Sequence, residues 1–145
     1  MTNDFDITEI ESWLTGYDRD VLNVSKNVFT DRPKSLDSSC GDFVVAKVSG
    51  GVGDVAAYGR CTVAFHLFAK DVSNRKNGKK LSVMYKKLIA GFPAADGRYI
   101  FSGVPVVTGD VGDNFGFHAR IIQIKTIIKI PVSYTHLTLP TKLEV

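Results

Sequence analysis

Apolar residues at Ile7, Ile10, Leu14, Tyr17, Val21, Val24 and Val28 are spaced alternately by three and four, which draws a single stripe along one helix face. Asp6 followed by Glu9 is a capping-box-like start, so the spacing predicts a helix from about Ile7 to Lys26, weakened in its middle by Gly16 and the run DRD. VFTDRP then leaves it as an extended arm, because Pro33 keeps Arg32 out of the helical region. The pattern changes period at DFVVAKV, Asp42 to Val48, a β-branched run apolar on both faces and therefore a strand covered on both sides. GRCTVAFHLFAK alternates strictly, with Cys61, Val63, Phe65, Leu67 and Ala69 on one face and Thr62, His66 and Lys70 on the other.

After the polar loop DVSNRKNG, the helical period returns at Leu81, Met84, Tyr85, Leu88, Ile89 and Phe92, and Gly91 and Pro93 stop it. RYIFSGVPVVTG and FGFHARIIQIKTIIKI are two β-rich runs joined by the turn-rich DVGDN, a second hairpin with Pro105 at an edge or bulge. The pattern predicts an α+β fold, a mostly antiparallel sheet of about four main strands with two flanking helices, in the order α-β-β-α-β-β over residues 1–130.

The pattern ends at Pro131. VSYTHLTLPT, Val132 to Thr141, has no period and resembles one reading frame of the transposon-end adapter used in preparing sequencing libraries. Residues 131–145 are accordingly left out of the fold as a non-native tail, expected to be disordered, and His136 leaves the list of candidate ligands.

Composition narrows the class. With 44% hydrophobic and 23% charged residues in 145, the chain is an ordinary globular domain. No apolar run approaches the ~20 residues of a membrane span, and the acidic start MTNDFDITEIESW lacks a signal core, so a soluble, intracellular product is expected. Cys40 and Cys61 form no CxxC and point to neither zinc nor a disulfide framework. A formal net charge of +3 is too small to argue for nucleic acid, but Arg75, Lys76, Lys79, Lys80, Lys86 and Lys87 crowd one segment. Lys79, Lys80, Lys86 and Lys87 make a candidate basic face for a nucleic-acid-binding module, although no aromatic residues interleave with them.

Gly51, Gly53 and Ala56 match G-x-G-x-x-A, the dinucleotide fingerprint. That motif works only where the glycines open a helix toward a pyrophosphate, and here the β-alternating pattern begins at once after Gly59. VSGGVGD at Val48 to Asp54 recurs as VTGDVGD at Val107 to Asp113, so both segments are expected to be hairpin tips projecting in the same direction as contact surfaces. The candidate contact residues are Gly51, Gly53, Asp54, Asp110, Gly112 and Asp113. On the last run, Ile122, Ile124, Ile128 and Ile130 share one face, with Ile121 and Ile127 on the other, and it is expected to be an edge strand making subunit contacts through Ile121 and Ile127.

No catalytic constellation emerges. His66 and His118 lack acidic residues at metal or acid–base spacing, the loop carboxylates do not meet the EF-hand pattern, and Ser38 and Ser39 lack a nucleophile elbow. No catalytic, cofactor or metal site is therefore predicted; a small enzyme using His66 or His118 as base is the weakest alternative.

The arm NVFTDRPKSLDSSCGDFVVAKV, then CTVAFHLFAKD before the basic helix GKKLSVMYKKLIAGF, and the closing RIIQIKTIIK follow an order that resembles the tail terminator or tail completion proteins of long-tailed bacteriophages, across nearly all of Asp4 to Ile130. The resemblance implies a non-enzymatic virion assembly protein, a hexameric ring that caps the tail tube and ends its polymerisation. Its partners would be further copies of itself, the tail tube protein and the head–neck connector protein, with DNA only passing through the lumen. Its place would be the virion tail, reached from the host cytoplasm, without a cofactor.

Overall fold

A computed structural model describes residues 7–33, 40–55, 58–96, 99–112 and 115–129 of the chain; the predicted cap at Asp6, Asp113 and the tail after Lys129 lie outside the described residues. The first helix, α1, spans Ile7–Gly16 and buries Ile10 and Leu14. It does not run on to Lys26. Tyr17–Val21 form a π-helical turn, in which Leu22 N–H donates to the carbonyl of Tyr17, five residues back, at 2.9 Å. The wider turn breaks the three-four spacing. Val21, an inward position in the straight helix, is 62% exposed, and Asp18 is fully buried in the row below Ile10 and Leu14.

Among the described residues, neither carboxylate oxygen of Asp18 has a hydrogen-bond partner. Burial pushes its pKa well above the usual 3.8, because an unpaired charge in an apolar surrounding is far costlier than a neutral acid.

The remaining elements are β1 (Val28–Phe29), β2 (Asp42–Val55), β3 (Tyr58–Lys70), α2 (Gly78–Ile89), β4 (Ala94–Asp96), β5 (Tyr99–Phe101), β6 (Val106–Val107), β7 (Val111–Gly112) and β8 (Phe117–Lys129). They form one eight-stranded mixed sheet in the order β1-β2-β3-β8-β5-β4, with β6 and β7 also paired to β8. This corrects the expected four-stranded, mostly antiparallel α-β-β-α-β-β sheet. Sequence periodicity cannot see two- and three-residue strands, and the start of the arm pairs parallel to β2 (Val28 with Val44, Phe29 with Val45).

The predicted second hairpin exists, but its first arm is broken. β5, β6 and β7 lie one after another along β8, at Ile128 and Ile127, at Gln123 and Ile122, and at Ala119 and His118. Pro105 falls in the gap between β5 and β6, where no ladder donor is needed. Gly103 crosses β8 closely, its N–H donating to the Lys125 carbonyl at 3.2 Å. A Cβ at Gly103 would come within 2.8 Å of the Lys125 backbone nitrogen, so only glycine fits there.

Both helices pack on the same face of the sheet. Ile10 and Leu14 of α1 and Leu81, Met84 and Leu88 of α2 share one core with Val63, Phe65, Leu67, Ile122, Ile124 and Ile128. Trp13 stacks between Tyr17 (4.7 Å) and Phe101 (5.0 Å), and Tyr17 Oη donates to the Gly91 carbonyl at 2.8 Å, tying the π turn to the end of α2. The opposite face carries a smaller cluster, Phe43, Val45, Phe68, Phe117 and Ala119. The guanidinium of Arg32, on the arm, lies 5.4, 5.0 and 5.0 Å from the ring centres of Phe43, Phe68 and Phe115.

Two consequences can be measured by urea unfolding. Gly103→Ala should lose about 1–3 kcal/mol through overpacking against β8, whereas Gly109→Ala, with nothing within 4 Å of the added methyl, should stay within about 0.5 kcal/mol of the parent. Asp18 has a raised folded pKa, so its favourable contribution is complete below the ordinary carboxylate value and is lost as pH rises toward the folded one. Asp18→Asn, which cannot ionise, should therefore gain on the parent as pH rises above the ordinary carboxylate value of 3.8; a difference that stays constant with pH would refute the buried acid.

Candidate functional site

Strand register decides where the sequence-predicted contact residues fall. β3 and β8 pair antiparallel at thirteen successive positions, from Tyr58 with Lys129 to Lys70 with Phe117. The reversal between β2 and β3 lies at the Tyr58 end, and the reversal between β7 and β8 at the Phe117 end. The two glycine motifs therefore serve opposite ends of the sheet, roughly 40 Å apart at about 3.3 Å per residue, and do not project together as expected.

The first motif is β-structure, as its pattern indicated. Gly53 pairs with Arg60 and Asp54 with Gly59, and a bulge between Ser49 and Gly53 takes up Gly51. No helix opens there, which removes the geometry a pyrophosphate requires.

The second motif is not a tip but an edge segment laid along β8. Asp110 sits in it with a side chain only 5% exposed, gripped by Arg120 Nε (2.7 Å) and Arg120 Nη2 (3.0 Å), with Lys76 Nζ at 3.1 Å. The Arg120 hydrogen bond, reinforced by Lys76, holds its pKa down at about 2. Asp110 is thus a clasp between the edge, β8 and the loop before α2, not a residue free to meet a partner. Gly112 lies opposite His118. His118 Nδ1 is 2.6 Å from Asp71 Oδ1, a pairing across 47 residues that no local spacing announces. A Cβ on Gly112 would come within 3.1 Å of His118 Nε2, so the ring's second nitrogen faces the edge backbone.

His66 lies on β3. It stands half-buried between Val45 and Ile121 and stacks on Phe68, and burial, then the nearby Lys47, lower its pKa. Burial pushes the Cys61 thiol up to about 11, which keeps it protonated and unreactive. Among the described residues, no three His, Cys, Asp or Glu side chains are grouped to hold a metal ion.

β8 is not the expected edge strand. It is hydrogen-bonded on both sides, and Ile121 and Ile127 are half-buried on the face away from the helices. The free edges are elsewhere. β6 and β7 each pair with β8 alone, and the segment around them exposes Val104 (85%), Val106, Val107, Val111 and Phe115 (75%). Five large apolar side chains are exposed within twelve residues along this open edge, where isolated exposed hydrophobes would need no explanation.

At the other side, β1 covers β2 only at Val44 and Val45. The Val48 N–H is taken by Glu11 Oε2 of α1 at 3.0 Å, and beyond it no described strand flanks the outer side of the glycine-rich arm.

The lysines of α2 are divided by the helix itself. Leu81, Met84 and Leu88 point into the core, and positions seven apart share a flank. Lys79 and Lys86, with Lys76, line a groove shared with Ser82, Val83, Asp110 and Arg120. Lys80 and Lys87 face the other way, into a cleft of about 530 Å³ walled by Arg19, Asn23, Lys26, Asn27, Cys40 and Asp42.

Sequence reading missed that cleft. Its floor is a hydrogen-bonded knot: Ser25 Oγ donates to Asp42 Oδ1, Lys80 Nζ pairs with Asp42 Oδ2 at 2.7 Å, and Asn27 Nδ2 donates to the Asp42 carbonyl at 3.2 Å. Only SxN immediately before the arm and the Asp at the strand start hinted at it.

No protein-family model matches the chain, and no curated protein matches it in sequence.

The clasp is testable. The lowered pKa of Asp110 means its contribution is present above the ordinary carboxylate value and lost as pH falls toward about 2. Asp110→Asn should cost about 1–3 kcal/mol at neutral pH in urea unfolding, with the difference shrinking at acid pH and amide exchange accelerating first at Val106 to Gly112.

Proposed function

We propose that the chain is a non-enzymatic assembly subunit that works by self-association, of the tail-terminator kind its element order resembles. The observation that carries this reading is the apolar free edge at Val104, Val106, Val107, Val111 and Phe115. Such an edge exposes unpaired backbone groups beside hydrophobic side chains and is a template for another chain.

The occupant is a second copy, through its opposite edge. The outer side of β2 beyond Val48 has no flanking strand among the described residues, and Gly51 and Gly53 allow a close backbone approach. Joining two different edges of one sheet is a head-to-tail contact, the type that closes into a ring when the rotation allows. The reading keeps the glycine arm as a contact surface and moves the other half of the contact from β8 to the β6–β7 margin. In a virion it makes the chain a ring on the tail tube, offering its second face to the head–neck connector.

The rival nucleic-acid module would draw on Lys79, Lys80, Lys86 and Lys87 as one basic face; their division between two flanks of α2 weighs against it.

Light scattering coupled to size exclusion provides the test. The 15.9 kDa chain should run as an oligomer of several subunits, and Val106→Lys with Val111→Lys should run as a folded monomer with unchanged circular dichroism. The parent should also sediment with isolated tail tubes and stop their extension. A monomeric parent at all concentrations would sink the self-association reading; an oligomer indifferent to tubes would keep it and remove the tail assignment.

A further inference from the structure

We infer that the cleft between the π turn, the start of β2 and the outer flank of α2 is a binding site for a compact phosphate-bearing anion. This rests on different residues from the proposed edge contact.

Among the described residues, four cationic side chains, Arg19, Lys26, Lys80 and Lys87, line the cleft against a single carboxylate, Asp42. They arrive from two stretches of chain about sixty residues apart, residues 19–27 and α2, so their convergence is made by the fold and not by one charged run. Asp42 is already engaged: Ser25 donates to one of its oxygens, and Lys80 pairs with the other. Arg19 is partly neutralised by the exposed Asp20. Lys26 and Lys87 have no ion-pair partner among the described residues, and like charges brought to one concavity repel until an anion joins them.

The floor is built to last. Ser25 is 6% exposed, its hydroxyl also accepts from the Asn27 N–H at 3.1 Å, and Cys40 Sγ donates to the Asp42 carbonyl at 3.2 Å. The groups beneath the cations are thereby held in place before any ligand arrives.

The lining selects the chemistry. It contains no aromatic side chain, so neither a nucleobase nor an apolar ligand would find a stacking or hydrophobic wall. About 530 Å³ admits one or a few phosphoryl groups and is too small to seat a duplex. Ammonium groups, Arg19 and the side-chain amide of Asn23 are donors suited to phosphoryl oxygens. The phosphate could be free or could project from a nucleic-acid backbone, and the two sources differ in how binding depends on strand length.

Isothermal titration of the full chain with pyrophosphate, beside fluorescence anisotropy with a short labelled DNA strand, makes the test. Lys26→Glu with Lys87→Glu should weaken binding by about tenfold or more. Lys79→Glu with Lys86→Glu changes net charge equally on the same helix but outside the cleft, and should stay within about twofold. Pyrophosphate binding alone with that contrast supports a site for a free phosphate compound; tighter DNA binding with the same contrast supports a backbone phosphate. Equal loss in both double variants would mean that overall charge and not the cleft governs binding, and no binding of either probe would overturn the site outright.

Discussion

Thirteen consecutive pairings between β3 and β8 put the isoleucine-rich β8 inside the sheet, hydrogen-bonded on both sides. Burying Ile122, Ile124 and Ile128 under two helices satisfies the hydrophobic demand of that strand, and the ladder satisfies its backbone. Everything peripheral follows. With β8 inside, the chain segment before it can only run along its flank, and that segment contains Gly103, Pro105, Gly109 and Gly112, which prevent a continuous strand. The result is a broken margin of short pairings whose valines have no core left to enter.

The same margin is held down by charge. Asp110 is enclosed by Arg120 and Lys76, so two ion pairs fasten an edge that hydrogen bonds alone secure at only a few positions. An edge fastened in this way can stay exposed and apolar without unravelling, which suits a surface kept for association. The buried Asp18 shows the opposite treatment of a carboxylate: unpaired and stabilised in its neutral form, beneath the π turn that also sets the wall of the basic cleft.

Helix α2 acts as a divider between these regions. Its core-facing residues fix its rotation, and the seven-residue spacing sends Lys79 and Lys86 toward the clasped edge and Lys80 and Lys87 toward the cleft. A basic segment that reads as one patch in sequence is two surfaces in space. That division was legible in the spacing itself, since positions 79 and 80 lie about 100° apart around any helix.

The sequence by itself determined the inward faces of both helices, the long β2–β3 hairpin and the β character of the glycine motif, because periods of 3.6 and 2 are local properties that burial reads directly. It ran α1 on to Lys26 although Gly16 and DRD marked the point where the π turn begins, and Val21 came out exposed where Asp18 went in. Only the tertiary structure decided which strand is central, that the two glycine motifs serve opposite ends of the sheet, and that Asp42 meets Lys80, Asp71 meets His118 and Asp110 meets Arg120. Such partnerships depend on strand order and register between distant segments, and a one-residue change of register would send each side chain to the other face.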